Sequence, residues 1–359
     1  MTIFNENFDV ENLIGRKEFV FDKDELIPIF TDKTVLVTGG GGSIGSELCR
    51  ALYCLKIKRL IILDFYENNA YVISQELLLK NYSPKIDVEI ANMREYDKLD
   101  YIFAKYKPDI VFNAGAHKHV PLMEDCPDEA VKNNVLGTLN VIKLADKYNV
   151  KRFVQISTDK AVNPTSVMGA TKLVDEYLLS YFAKRSKTVY TAVRFGNVFN
   201  SNGSVVPLFI SQIKAGGPVT VTDKNIERFF MTIPEAVSLI LKTCTFNDSD
   251  KIYVLDMGKP VNIYELAVKI IKSFSLEPDV DIKIKITGLR PGEKMMEECF
   301  YQLEDLTKTT DGRITVLREK SFDETAFYND VLALIDLSLK TPVGVKEKLF
   351  DIVNILNKK

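Results

Sequence analysis

Thr34-Val35-Leu36-Val37-Thr38-Gly39-Gly40-Gly41-Gly42-Ser43-Ile44-Gly45 decides the fold of this chain. Five uncharged, largely β-branched residues run straight into a glycine cluster. The run reads as a strand buried on both faces. Gly39, Gly42 and Gly45 have the spacing G-x-x-G-x-x-G, and a helical pattern runs from Ser46 to about Cys54. Glycine spacing carries weight only between a strand and a helix, and here it has both. Glycine admits positive φ and lets backbone approach a pyrophosphate, and the helix behind offers unpaired N–H groups. Thr38, Ser43 and Ile44 complete this candidate dinucleotide turn.

Working outward, Arg59-Leu60-Ile61-Ile62-Leu63-Asp64 is a second strand ending on a carboxylate. Asp64 lies roughly 20 residues past the glycines, where a carboxylate binds adenosine ribose hydroxyls. It also repels a 2′-phosphate, and Phe65-Tyr66-Glu67 brings no cation, so NAD is favoured over NADP. Arg94 is the one residue able to oppose that preference. Helices are expected at 69–81, 95–105, 127–148 and from the fifth strand's loop through 182. Strands are expected at 86–90, 109–113 and 152–156. Asn92 and Met93 follow the third strand and would flank adenine. Asn113, Ala114, Gly115 and Ala116 follow the fourth and let the nicotinamide half lie close. Asn134, on the 127–148 helix, has an amide able to hold backbone near the site.

Continuous apolar strands alternating with long helices give an α/β, Rossmann-like doubly wound parallel sheet. After residue 196 the alternation becomes irregular, which reads as a smaller C-terminal substrate-binding lobe. The expected divisions are an N-terminal arm (1–33), an NAD-binding Rossmann domain (34–196) and a mixed lobe (197–359) interleaved with the last strands. The arm reads as a packing segment with a short helix near 22–30.

Composition narrows the class. The 359 residues carry 49 acidic and 47 basic side chains, a net charge of -2, and 46% are hydrophobic. No basic excess marks a nucleic-acid surface. No apolar run approaches the roughly 20 residues of a membrane span, and the first residues show no signal-peptide core. Five cysteines without C-x-x-C spacing fit a reducing cytoplasm. His117 and His119, the only histidines, lack a third ligand at a recognised spacing, so no metal site is expected.

The chemistry concentrates in Ser157-Thr158-Asp159-Lys160-Ala161-Val162-Asn163-Pro164-Thr165-Ser166-Val167-Met168-Gly169-Ala170-Thr171-Lys172. A hydroxyl, a carboxylate and an amine follow the fifth strand, at the end where doubly wound sheets place ligands. Lys172 stands in Met-x-x-x-Lys spacing, and a thioether exchanges no proton. Asp159 and Lys160 are a pair able to act as acid and base, as a reaction that also eliminates water requires.

The glycine turn with Lys172 resembles the extended short-chain dehydrogenase/reductase family, in which Tyr-x-x-x-Lys is usual. The 157–172 stretch is similar to the sugar-nucleotide 4,6-dehydratases of polysaccharide and glycan biosynthesis. Within them it resembles the configuration-retaining UDP-N-acetylglucosamine 4,6-dehydratases, which carry methionine at the position of Met168. His117-Lys118-His119-Val120-Pro121, Arg194-Phe195-Gly196-Asn197-Val198, Gly203-Ser204-Val205-Val206-Pro207, Arg228-Phe229-Phe230-Met231-Thr232 and Arg290-Pro291-Gly292-Glu293-Lys294 carry the likeness over about residues 13 to 300. Many such relatives have a membrane-spanning region ahead of this portion, and this chain shows none.

The resemblance implies an NAD-dependent lyase acting on UDP-N-acetylglucosamine or a close UDP-sugar. The sugar is oxidised at C4, loses its C6 hydroxyl as water, is reduced at C6 and keeps its C5 configuration. Lys160, held neutral, would remove the C5 proton, and protonated Asp159 would assist loss of the hydroxyl. Thr158 would relay the C4 hydroxyl proton, and Lys172 would hold the nicotinamide ribose. Arg290 and Arg228 are diphosphate candidates, and Glu293 a ribose acceptor. Asn197, Ser204 and Val205 would line the diphosphate and uracil region, and Lys118 the sugar. A homo-oligomer is implied, with the helices near 127–148 and 170–182 facing a dimer partner. The alternatives are a UDP-N-acetylhexosamine 4-epimerase and a non-catalytic sensor of NAD or nucleotide sugar.

Overall fold

The computed structural model describes residues 10–16, 19–20, 22–80, 84–300, 306–317 and 321–357. Its main sheet begins with β1 (Thr34–Thr38), β2 (Arg59–Asp64), β3 (Lys85–Ile90), β4 (Ile110–Asn113), β5 (Arg152–Ile156) and β6 (Val189–Arg194). β7 (Lys251–Leu255), β8 (Leu306–Lys308) and β9 (Ile314–Leu317) complete it. The order across the sheet is β8-β9-β7-β6-β5-β4-β1-β2-β3. β1 through β7 run parallel, and β9 and β8 add antiparallel strands at one edge.

Alternate side chains of each strand enter opposite cores. Leu36, Ile61 and Leu63 face one, and Val35, Val37, Leu60 and Ile62 the other. Helices cover both faces, so the strands need apolar residues at every position. β3 lies at the edge and differs: of its six residues only Glu89 is buried. Glu89 accepts hydrogen bonds from Tyr106 Oη (2.7 Å) and Lys105 Nζ (2.9 Å).

The longer helices among the described residues are α1 (Lys23–Phe30), α2 (Ser43–Tyr53), α3 (Glu67–Leu78), α4 (Tyr96–Tyr106), α5 (Gly137–Lys147), α6 (Val167–Ala183), α7 (Val205–Lys214), α8 (Ile233–Thr243), α9 (Ile263–Ser273), α10 (Glu324–Lys340) and α11 (Val345–Asn357). α2 starts at Ser43, ahead of the expected Ser46, because Gly42 itself is the N-cap. The expected helix over 127–148 is not uniform. Pro127–Ala130 is α-helical, Val131–Leu136 is π-helical and α5 resumes at Gly137. A widened turn of this kind often marks a functional site.

A smaller lobe follows β6. Asn197–Val198 pairs with Phe230–Met231, Glu227–Arg228 with Val261–Asn262, and Val219–Val221 with Ile284–Ile286. Val206, Phe209 and Ile210 of α7 pack with Leu266 and Ile270 of α9 at its centre. Leu13 and Ile14 of the arm join this lobe, whereas Leu26 and Phe30 of α1 enter the sheet core. Arg16, between them, pairs with Glu235 of α8 at 2.8 Å.

Not all of 197–359 lies in that lobe. α8 enters the sheet core through Ala236, Leu239 and Ile240. Val331 and Leu334 of α10 and Leu349 and Ile352 of α11 share a core with Leu173, Val174 and Leu178 of α6. α10 and α11 thus cover α6 and the 131–136 segment, the helices expected to meet a dimer partner. Among the described residues no helix is long and apolar enough to cross a membrane.

Candidate active site

The chain leaves β1 for β2 on one side, and β4 lies against β1 on the other. A crevice opens outside the carboxyl ends at such a switch point. A cavity of about 1040 Å³ occupies it and extends to the smaller lobe. Gly39, Gly42, Ser43, Ile44, Gly45 and Asp64 line one end. Gly39 has φ +61°, and a Cβ there would lie 2.7 Å from Gly115 Cα, so only glycine lets the β1 and β4 turns touch. Gly42 caps α2 without a side-chain acceptor, which leaves the helix N–H groups facing the cavity. Asp64 is buried. Its Oδ2 accepts from Gly41 N and its Oδ1 from Tyr66 N, each at 2.9 Å, with a further lone pair left on each oxygen.

Asn92, Met93, Ala114, Gly115 and Ala116 also line the cavity. Asn92 Oδ1 accepts from Arg94 N at 3.0 Å. Arg94 points elsewhere: Nη1 bonds Glu129 Oε2 at 2.7 Å, and Nη2 meets His117 Nε2 at 3.2 Å. Burial, with the charge of Arg94, lowers the His117 pKa.

Thr38 and Asn113, expected at the cofactor, lie beneath the cavity instead, as does Asn134, whose amide holds loop backbone as expected. Each is fully buried, and none lines the cavity. Thr38 Oγ1 donates to Asn113 Oδ1 (2.5 Å) and accepts from Gly115 N (3.3 Å). Asn134 Oδ1 accepts from His117 N (2.8 Å), and its Nδ2 donates to His117 O (3.1 Å) and Thr171 Oγ1 (3.0 Å). These side chains fix the loops that the ligand would touch.

The 157–172 stretch brings its chemistry to the other wall. Thr158 caps a short 3-10 turn, Asp159–Ala161, and its Oγ1 donates to Asp159 Oδ1 at 2.9 Å. Lys160 Nζ donates to the same oxygen at 3.0 Å and to Asn197 Oδ1 at 3.3 Å. Glu297 Oε1 stands 3.7 Å from Lys160 Nζ. Burial pulls the Lys160 pKa down, but Asp159 and Glu297 outweigh it and the net shift is upward. Lys160 is therefore held charged, contrary to the expected neutral amine. Asp159 is fully buried and does not line the cavity; Thr158, Lys160 and Glu297 do. Burial, then the charge of Asp159, pushes the neighbouring Cys299 thiol up to about 12, which leaves it inert.

Met168 and Lys172 line the cavity from the start of α6. Ser166 caps that helix by accepting from Gly169 N at 3.2 Å. A Cβ on Gly169 would lie 2.2 Å from Lys160 O, so glycine there lets α6 seat against the Asp159–Ala161 turn. Lys172 Nζ pairs with Asp175 Oδ2 at 2.7 Å, both buried. Burial raises the Asp175 carboxyl to about 6.

Of the expected substrate residues, Lys118, Asn197, Ser204, Val205, Arg228, Arg290 and Glu293 all line the cavity, but three are engaged otherwise than expected. Arg228 is buried and already engaged: it donates to Glu227 O (2.7 Å), Met295 O (3.1 Å), Lys294 O (2.8 Å) and Glu293 Oε1 (3.2 Å). It braces the 293–295 loop. Glu293 Oε1 also meets Arg290 Nη2 at 3.2 Å, so its carboxylate is shared by two arginines. Asn197 reaches Lys160. Arg290 lines the cavity about half exposed, at 55% for its side chain, and pairs with Glu293 through Nε (3.4 Å) and Nη2 (3.2 Å). Ser204 Oγ is buried without a partner at the N-terminus of α7. Burial and the charge of Lys160 lower the Lys118 pKa. Glu297 was missed from sequence. Its signal is the carboxylate pair Glu297-Glu298, separated by Met295-Met296 from Arg290-Pro291-Gly292-Glu293-Lys294.

A sequence profile described as polysaccharide biosynthesis protein matches residues 35–319. The chain belongs to this family. EpsC of Bacillus subtilis and CapD of Staphylococcus aureus are 47% and 48% identical to it over 295 and 299 residues. They are described as a probable polysaccharide biosynthesis protein and a capsular polysaccharide biosynthesis protein. Each match covers 82% of this chain but 49% and 50% of the relative, so the chain spans about half their length. A UDP-glucose 4-epimerase of Rickettsia bellii is 34% identical over 290 residues, covering 79% of this chain and 82% of that one. The X-ray structure of Pen from Bacillus thuringiensis is similar with a TM-score of 0.74 at 34% identity, over 82% of this chain and 90% of that one. DesIV of Streptomyces venezuelae, a dTDP-glucose 4,6-dehydratase solved with NAD and TYD bound, shares the fold at TM-score 0.68 and 18% identity, over 83% of this polysaccharide biosynthesis chain and 96% of its own.

Proposed function

We propose that this chain is an NAD-dependent sugar-nucleotide 4,6-dehydratase. Its substrate is UDP-N-acetylglucosamine or a close UDP-sugar, and the product is a 4-keto-6-deoxy sugar with C5 configuration retained. The observation that carries the reading is the Thr158-Asp159-Lys160 cluster at a cavity where Met168 replaces a proton-exchanging tyrosine.

The cradle fits NAD. The uncapped start of α2 and the close Gly39–Gly115 approach leave room and N–H donors for a pyrophosphate. Asp64 would take the adenosine ribose, Asn92 and Met93 the adenine, Ala114 to Ala116 the nicotinamide half and Lys172 its ribose. Arg94, bonded to Glu129, offers no 2′-phosphate site. When bound, the cofactor supplies a hydride acceptor that is restored within one turnover.

The chain's own groups move the protons. Thr158 Oγ1 faces the cavity and donates to Asp159. A C4 hydroxyl beside it hands its proton through Thr158 to Asp159, which fills the role the missing tyrosine leaves vacant. Lys118, Lys160 and Asn197 border the sugar. Arg290 and the start of α7, with the unpartnered Ser204 Oγ, hold the diphosphate.

The likeness to a UDP-glucose 4-epimerase favours a second reading, 4-epimerisation without loss of water. One experiment separates the two. The chain is incubated with NAD and UDP-N-acetylglucosamine in deuterated water, and the product is analysed by mass spectrometry and NMR. Loss of one water with retention at C5 is expected; an isomer of unchanged composition identifies the epimerase.

A further inference from the structure

We propose that Glu297 is the base that removes the C5 proton and returns it, with the Lys160 ammonium as the acid for the C6 hydroxyl. This assignment rests on the dehydratase reading above. Asp159, the acid expected from sequence, has no surface in the cavity. Glu297 does line it, and its Oε1 lies 3.7 Å from Lys160 Nζ. A carboxylate buried for structure alone has its oxygens hydrogen-bonded. Glu297 is 4% exposed, and its Oε2 has no partner. Charge balance does not require it either, because Lys160 already has Asp159 at 3.0 Å. The segment carrying it is braced: Arg228 holds the carbonyls of Lys294 and Met295, and Lys294 Nζ donates to Val162 O at 2.9 Å. Glu297 is thereby held against the catalytic turn from the opposite lobe.

The proton balance closes with these groups. With C4 as a ketone, the C5–H bond breaks and its proton goes to Glu297. The electron pair forms the C5–C6 double bond as the C6–O bond breaks. The leaving hydroxide takes a proton from Lys160 and departs as water. Asp159, holding the C4 hydroxyl proton received through Thr158, restores the proton on Lys160. Once C6 has been reduced, Glu297 returns a proton to C5 from the side it came from. One base on one face gives retention.

The test isolates the C5 step. The 4-keto-6-deoxy UDP-sugar product is incubated with the full chain in deuterated water, and deuterium at C5 is followed by NMR. Wild type is expected to exchange. Glu297→Gln is expected to exchange and dehydrate about 10²–10⁴-fold more slowly, with UDP-sugar affinity and melting temperature near wild type. Asp159→Asn is expected to lose dehydration yet keep exchange on the preformed ketone. Exchange at the wild-type rate in Glu297→Gln overturns the assignment, as does loss of exchange in Asp159→Asn alone. If the Gln variant does not fold, Glu297→Asp serves, since it shortens the base: slowed exchange supports the role and an unchanged rate overturns it. A wild type that neither dehydrates nor exchanges overturns the dehydratase reading itself, and Glu297 with it.

Discussion

At the scale of single residues, Thr158 carries the proposed route for the C4 proton, because its hydroxyl joins the cavity to the buried Asp159. Thr158→Val keeps the shape and removes the relay. Turnover is expected to fall about 10²–10⁴-fold with the KM for UDP-sugar unchanged, as steady-state kinetics will read. Asp175 allows a second test. Its carboxyl sits at about 6 in the fold against 3.8 unperturbed. The native state then binds that proton more tightly, so the group favours folding at low pH and loses that contribution as pH climbs through 6. Chemical denaturation should show wild type losing about 2 kcal/mol relative to Asp175→Asn between roughly pH 4 and pH 7, at 1.36 kcal/mol per unit. Thr158 and Lys160 reach the cavity where their place after the fifth strand put them, whereas Asp159 between them turns inward. Glu297 was not legible, because it meets Lys160 only through the crossing from the smaller lobe. Asn113 was placed at the ligand because the last residue of a strand can face the core as well as the crevice, and the apolar run before it does not say which.

At the scale of elements, β1, β2, β4 and β5 were legible because strands buried on both faces leave unbroken apolar runs. α10 and α11 were not distinguished from the lobe. Their buried residues, such as Phe327, Val331 and Leu334, have the spacing of any amphipathic helix, and the pattern does not name the surface they cover. The π-helical turn at 131–136 has no sequence signature; its sense appears only when Asn134 meets His117 and Thr171. The loop from Arg290 to Glu297 depends on Arg228. Arg228→Ala is expected to speed limited proteolysis within 288–297. It should also raise the KM for UDP-sugar about tenfold, a loss of roughly 1.4 kcal/mol. A KM and cleavage pattern like those of wild type would show that the loop holds itself.

For the whole molecule, the sheet and the smaller lobe are built from interleaved stretches. A chain ending before Ser321 lacks α10 and α11 and bares Leu173, Val174 and Leu178 of α6. It is expected to aggregate or to melt without a cooperative transition in circular dichroism, whereas the full chain melts in one step. The N-terminal arm adds to this interleaving, since Leu13 sits in the lobe and Phe30 in the sheet core. A body crossed by the backbone so many times is cross-linked by its own covalent chain. Opening it as two rigid halves would strain every crossing at once, a far larger cost than loosening one loop. Under the proposed function, opening for a nucleotide sugar is therefore expected of single loops at the cavity rim, such as the one carrying Arg290 and Glu293, and not of parted halves.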